Sequence, residues 1–208
     1  AALAKADVMA KNVSVREQRH VAALRHLIEG KPHLACACWD EIVAEQPHDI
    51  VALRMHHYTC FWSGYRQQLS SLPSAALTKW DDNIPHYGNV LGMVAFGLEE
   101  LGQYREAERY GRAATDKNPD DLWAVHSVAH VMEMQQRSQE GVAWLDYTFH
   151  HFRDFNPFRG HIWWHKGLFL LEAELFDEAV LLYDNAIHDT ESEFFLDMQN
   201  SVSFLARL

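Results

Sequence analysis

Residues 123–133 read WAVHSVAHVME, and thirty-five residues after the first histidine of that stretch a second histidine pair stands in RGHIWWHKG. His126, His130 and Glu133 follow at spacings of four and three, which on a helix lines them up in one stripe. Two imidazoles and a carboxylate so placed can meet one divalent cation, and Zn, Fe, Ni and Mn all accept that donor set. His57 or His161 from a neighbouring helix would supply a further ligand. The same groups can also work without a metal, because a glutamate beside a histidine fixes its tautomer and raises its basicity, as a general base requires. Other chemistries find no foothold: the sequence contains no GxSxG, no Gly-rich phosphate loop and no HExxH. Cys36 and Cys38, two apart on a helix, point about 200° from each other and cannot readily chelate one ion together. They are expected to be buried, small apolar residues.

Composition narrows the partners. The 208 residues carry 18 Lys+Arg against 29 Asp+Glu, a formal charge of -11, and no basic run offsets it. Such a balance opposes binding to a polyanion, so nucleic acid is an unfavourable partner. No apolar stretch approaches the ~18 residues that span a bilayer, and AALAKADVMAKN lacks the apolar core of a signal peptide. Three cysteines, an odd number without a paired framework, suit a reducing, cytoplasmic setting. The 14 histidines make their placement the main question.

The elements that must position them are helices. Apolar residues recur at helical spacing throughout, and no alternating β-branched run is bounded by hairpin turns. The segments KPHLACACWDEIVAEQP, QYREAERYGRAATDKNP and LFDEAVLLYDNAIHDTE align. Ala35 and Ala107 each precede a proline by twelve residues (Pro47, Pro119), and Ala107 and Ala179 each precede an alanine by seven (Ala114, Ala186). Small residues let two helices cross closely and proline stops the second. A further small residue stands twelve before each: Ala23, Ala95 and Gly167. This pattern resembles the tetratricopeptide repeat. The expected fold is all-α, a right-handed α-α superhelix of about five helix pairs plus a terminal helix, forming one domain over 1–208. The pairs would start near residues 16, 49, 88, 122 and 160, with a closing helix near 194–207. Insertions are expected in SSLPSAALTKWDDN and HHFRDFNPFRG.

The stretches VREQRHVAAL, GKPHLACACWDEIVAEQPHDIVAL, IPHYGNVLGMVAFGLEE, DLWAVHSVAHVMEMQQR and GHIWWHKGLFLLE resemble, in this order, the tetratricopeptide repeat protein 38 family. The VHxVAHxxEM and HxxWH signatures are the specific part of that likeness. The resemblance implies a soluble α-superhelix, with further helices upstream of this chain, and brings no established activity with it.

In arrays of this kind the first helix of each pair lines the concave surface, chiefly through repeat positions 2, 5, 9, 12 and 13. Applied here, those positions include His20, His57, Phe96, Trp123, His126, His130, Glu133, His161 and Trp164. Trp123 and Trp164 would either stack on a ligand or pack against the helices, and Gly92 would leave room for a ligand at mid-groove. His165, at position 6, is expected to pack toward the next helix and not to share a ligand with His161. The positions carry no Lys or Arg, which disfavours capture of a terminal carboxylate. Two functions follow. One is a groove that binds a small molecule or peptide segment; the other is an enzyme in which His126, His130 and Glu133, with His57 and His161 opposite, hold a metal or move protons. A scaffold acting through its convex face would leave the groove residues dispensable.

Overall fold

The structure, a computed structural model, describes residues 2–151, 156–188 and 191–208. Among them lie twelve α-helices and no strand: α1 (Ala2–Met9), α2 (Val15–Ile28), α3 (Pro32–Glu45), α4 (Ile50–Ser63), α5 (Arg66–Leu77), α6 (Tyr87–Glu99), α7 (Tyr104–Lys117), α8 (Leu122–Met134), α9 (Ser138–Thr148), α10 (Arg159–Glu172), α11 (Phe176–Leu182) and α12 (Phe195–Leu205). None is long and apolar enough to cross a membrane.

Local chemistry sets the helix ends. Ser14 and Glu17 close a reciprocal capping box at the start of α2. Asp49 and Asp121 cap α4 and α8 by accepting from the backbone N–H of Ala52 and Trp123. Pro32 opens α3, where its missing N–H costs nothing, and Gly64 ends α4 at φ 71°. Consecutive helices pack antiparallel in pairs, α2 with α3 through α10 with α11, and α12 closes against α10. The small residues sit at the crossings: Ala23, Ala35, Ala95, Ala107 and Ala179 are all fully buried. At Gly97 an added Cβ would stand 2.6 Å from Ser70 Cα, so α6 and α5 approach closer than any side chain permits.

The core runs along the stack without a break. Trp39, Leu53, Val90 and Met93 fill the first part, and Val128, Met132, Leu145 and Phe169 the last. Cys60, Leu69, Phe96 and Trp123 bridge the two. Each such side chain contributes on the order of 1.5–3 kcal/mol by leaving water.

The first expected insertion is shorter than the sequence suggests. Pro73 does not end a helix; it lies inside α5, and the irregular segment begins after Leu77. A mid-helix proline leaves the carbonyl four residues back without its N–H partner. Here that is Leu69 O, which receives the His57 Nδ1 proton at 3.2 Å. The second expected insertion includes 152–155, which lie outside the described residues.

Candidate metal centre

α8 and α10, the first helices of neighbouring pairs, each present two histidines one turn apart. Four residues along a helix is an offset of about 40° and 6 Å of rise, so His126 and His130 share one face of α8, and His161 and His165 one face of α10. The two faces meet. His126 Nε2 lies 3.1 Å from His161 Nε2, and His161 Nε2 lies 3.2 Å from His165 Nε2. One nitrogen of His130 joins them, all four ligand atoms falling within 4.8 Å of one another. Zn–N bonds of about 2.0–2.1 Å put neighbouring nitrogens roughly 3.3–3.4 Å apart around a tetrahedral ion and about 3 Å apart at right angles. The observed contacts are the edges of such a polyhedron.

The groups behind the rings decide where the protons are. Glu133 Oε2 is 2.8 Å from His165 Nδ1, and a carboxylate only accepts, so the His165 proton is on Nδ1 and Nε2 is a bare lone pair. His161 Nδ1 donates in the same way to Asn200 Oδ1 on α12 at 3.2 Å. Two bare Nε2 atoms therefore face each other at 3.2 Å. A second proton on either ring would relieve the contact, but burial opposes it. Desolvation, together with the neighbouring rings, drives His161 down to about 3 and holds His126 and His165 well below the ordinary imidazole value. The rings are neutral near pH 7, and the His161 and His165 lone pairs, with His126 Nε2 beside them, meet at a point that a cation would satisfy. Buried His126 Nδ1 has no hydrogen-bond partner among the described residues. The outer carboxylate and amide are the orienting groups that metal-bound histidines use.

His130 occupies the mouth of the cluster. Its side chain is a quarter exposed, and its Nδ1 stands 3.5 Å from Glu99 Oε2 at the end of α6. Glu100 is adjacent, its carboxyl pushed up by burial and by the charge of Glu99. Phe96 lies flat against His126 at 5.4 Å between centroids, and Trp164 against His161 at 5.2 Å, so each of the two rings is held by an aromatic face.

Several sequence expectations change. His165 does face His161: positions 161 and 165 obey the same four-residue spacing that aligns 126 with 130, and α10 turns that face toward α8. Glu133 lies behind His165 rather than beside His126, as an orienting group. His57 is not opposite the cluster. Fully buried, it donates from Nδ1 to the carbonyl freed by Pro73 and accepts Trp123 Nε1–H at 3.0 Å, so both its nitrogens are committed. His20 lies near the start of the stack, 3.1 Å from Asp49 Oδ2 and receiving Trp39 Nε1–H at 3.3 Å. Trp123 and Phe96 are buried, at 4.4 Å between centroids, and form a wall rather than a free stacking surface. Trp123 also borders a cavity of about 460 Å³ lined by Arg54, Tyr58, Asn89, Asp121 and Phe158. Gly92 leaves no ligand space: an added Cβ would lie 3.2 Å from both Ala124 Cβ and Asp121 Oδ2, so it serves the α6–α8 crossing.

The helix pairs and their crossings match solved structures. TTC0263, a thermophilic TPR protein of Thermus thermophilus, superposes with a TM-score of 0.68 over 93% of this chain and 98% of its own, at 14% identity. The chain has the tetratricopeptide-repeat fold. A putative kinesin light chain of Podospora anserina with nearly identical TPR-like repeats matches at a TM-score of 0.58 and 15% identity, over 91% of this chain and 94% of that one. YrrB, a TPR protein with an unusual peptide-binding site, matches at 0.53 and 16%, over 96% and 97%. No family model matches the sequence.

Proposed function

We propose that this tetratricopeptide-repeat protein, of the repeat protein 38 type, holds one divalent cation on His126, His161 and His165, with His130 at its open side. That cation would serve a small molecule or peptide segment lying along the first helices. One observation carries the reading: two bare Nε2 lone pairs face each other at 3.2 Å in a buried site where a ring proton is disfavoured. Three histidines with a looser fourth group suit a metal that keeps a position for water or substrate. Zn, Fe, Ni and Mn are the candidates by donor type. Metal-assisted proton transfer, of which hydrolysis is the commonest form, is the corresponding chemistry. His130, beside Glu99 and Glu100, would take the proton. The peptide-binding site of YrrB, which has the same fold, supports a peptide as one class of ligand. A cytoplasmic setting accords with three free cysteines.

Elemental analysis of protein prepared without a histidine tag tests the reading. The expected result is that the His161→Ala, His165→Ala double variant holds one equivalent of metal less than the parent. An unchanged metal content in the variant would overturn the proposal, as would a thermal midpoint that does not move when Zn, Fe, Ni or Mn is added to stripped protein.

A further inference from the structure

On the far side of the Phe96–Trp123 wall lies a second constellation built on the same plan. α3 carries Cys36 and Asp40, four residues apart, and the next helix, α4, carries His56 and Cys60, also four apart. The two faces meet. Cys36 Sγ is 3.7 Å from Cys60 Sγ, Cys60 Sγ is 3.6 Å from His56 Nε2, and His56 Nε2 is 3.2 Å from Asp40 Oδ1. Zn–S bonds of about 2.3 Å and Zn–N bonds of about 2.0–2.1 Å give tetrahedral edges of roughly 3.8 Å for S···S and 3.6 Å for S···N. The two contacts that involve sulfur follow these edges, the donor atoms of Cys36, His56 and Cys60 all lie within 4.8 Å of one another, and Asp40 meets the His56 ring behind them.

We propose that Cys36, His56 and Cys60 form a zinc site that ties the first helix pair to the second, with Asp40 as the carboxylate that holds the His56 ring from behind. The donor set is two thiolates and a neutral imidazole, a combination zinc accepts, with water to complete the tetrahedron. Because its ligands come from α3 and α4, the bound ion would act structurally, across the junction of two helix pairs. Cys36, Cys60 and His56 are buried, whereas about half of the Asp40 side chain meets solvent and provides the way in. The Asp40 carboxylate only accepts, so the His56 proton is on Nε2, and the Nδ1 lone pair, 3.7 Å from Cys60 Sγ, is the one left for the ion. Each thiol gives its proton to solvent as its sulfur–zinc bond forms, and no oxidant is required. Cys38, half-buried on another face of α3, takes no part.

Cobalt titration of the full chain, untagged, reduced and stripped of metal, separates this site from the histidine centre, which has no sulfur. The expected result is an intense near-ultraviolet thiolate-to-cobalt charge-transfer band that survives in His161→Ala, His165→Ala and disappears in Cys36→Ser, Cys60→Ser. Asp40→Asn, at a half-exposed position, should fold, keep the band and bind at least tenfold more weakly. Absence of the band in the parent protein, its persistence without Cys36 and Cys60, or unchanged affinity in Asp40→Asn would overturn the assignment. Should the double cysteine variant fail to fold, alkylation of the parent protein decides the matter. Zinc should slow labelling of Cys36 and Cys60 at least tenfold and leave Cys38 alone; equal labelling with and without zinc, or recovery of a Cys36–Cys60 disulfide in its place, would refute the site.

Discussion

Glu133→Gln tests the histidine centre at one proton. In the parent chain the carboxylate can only accept, so it holds the His165 proton on Nδ1 and aims the Nε2 lone pair at the point where His126 and His161 converge. Glutamine keeps the size and an accepting oxygen but removes the charge that makes the imidazole a stronger donor. Loss of such an outer partner costs about 10- to 100-fold in metal affinity. The Glu133 side chain is 38% exposed, so water screens part of its charge and the effect belongs at the lower end. A tenfold loss is about 1.4 kcal/mol. Chelator competition on untagged protein reads it directly. Under saturating metal the same loss lowers the thermal midpoint by roughly 3–6 °C, since 1 kcal/mol corresponds to about 2–4 °C in a domain of this size. Glu140→Gln, changing an exposed carboxylate paired with Arg137, serves as the control and should bind metal as the parent does. A Glu133→Gln affinity within twofold of the parent would refute the assigned role of Glu133, and tighter binding would refute the proton placement itself.

Three further outcomes follow from the packing. His57→Ala removes the partner of both Leu69 O and Trp123 Nε1 in a fully buried place, so it should destabilise the chain by about 2–5 kcal/mol in chemical denaturation while changing metal affinity little. A tenfold loss of metal in folded His57→Ala would restore it as a ligand. Gly97→Ala puts a methyl group 2.6 Å from Ser70 Cα, and since backbone cannot rotate away it should cost about 2–3 kcal/mol; a stabilised variant would show that the α5–α6 crossing is looser than described. Metal-free protein should weaken on acidification. His161 ordinarily titrates near 6.5 but near 3 in the fold, so below about pH 6.5 the unfolded chain takes up a proton that the folded chain refuses. The contribution is complete above that pH and falls by about 1.4 kcal/mol per unit beneath it, or about 2 kcal/mol at pH 5. Denaturation midpoints of His161→Gln should lack that component; an equal acid slope in both proteins would rule it out.

The all-α fold was legible because its signal is periodic and local. Alanines and glycines twelve apart mark where helices cross: Ala23, Ala35, Ala95, Ala107 and Ala179 are fully buried, and an added Cβ at Gly167 would stand 2.8 Å from Phe204. The candidate sites were legible only in part. The four-residue rule that aligns His126 with His130 applies equally to His161 with His165, and to Cys36 with Asp40 and His56 with Cys60. Groove positions taken from the repeat alone obscure it: position 6 of α10 faces α8, a matter of helix rotation that no spacing within one helix encodes. Sequence proximity pairs Cys36 with Cys38, whereas its neighbour in space is Cys60, twenty-four residues on. His57 shows the opposite failure. Its type and position suggest a ligand, but the deciding fact is the carbonyl that Pro73 leaves unpaired.

Both constellations bring together donors from packed helices of adjacent helix pairs, α8 with α10 and α3 with α4. In a stack where each unit touches only its neighbours, stability is close to a sum of unit terms and interface terms. A cation bound across an interface adds to that interface alone. The α6–α7 pair lies between the two sites and contributes to neither set of proposed ligands. Its opening free energy should therefore be the one least altered by chelation, while the α3–α4 and α8–α10 contacts lose protection. Hydrogen exchange resolved by helix distinguishes this from a uniform change. Loss of protection spread evenly over α2 to α12 would mean that metal acts on the whole fold, and that the two interfaces are not the places where it binds.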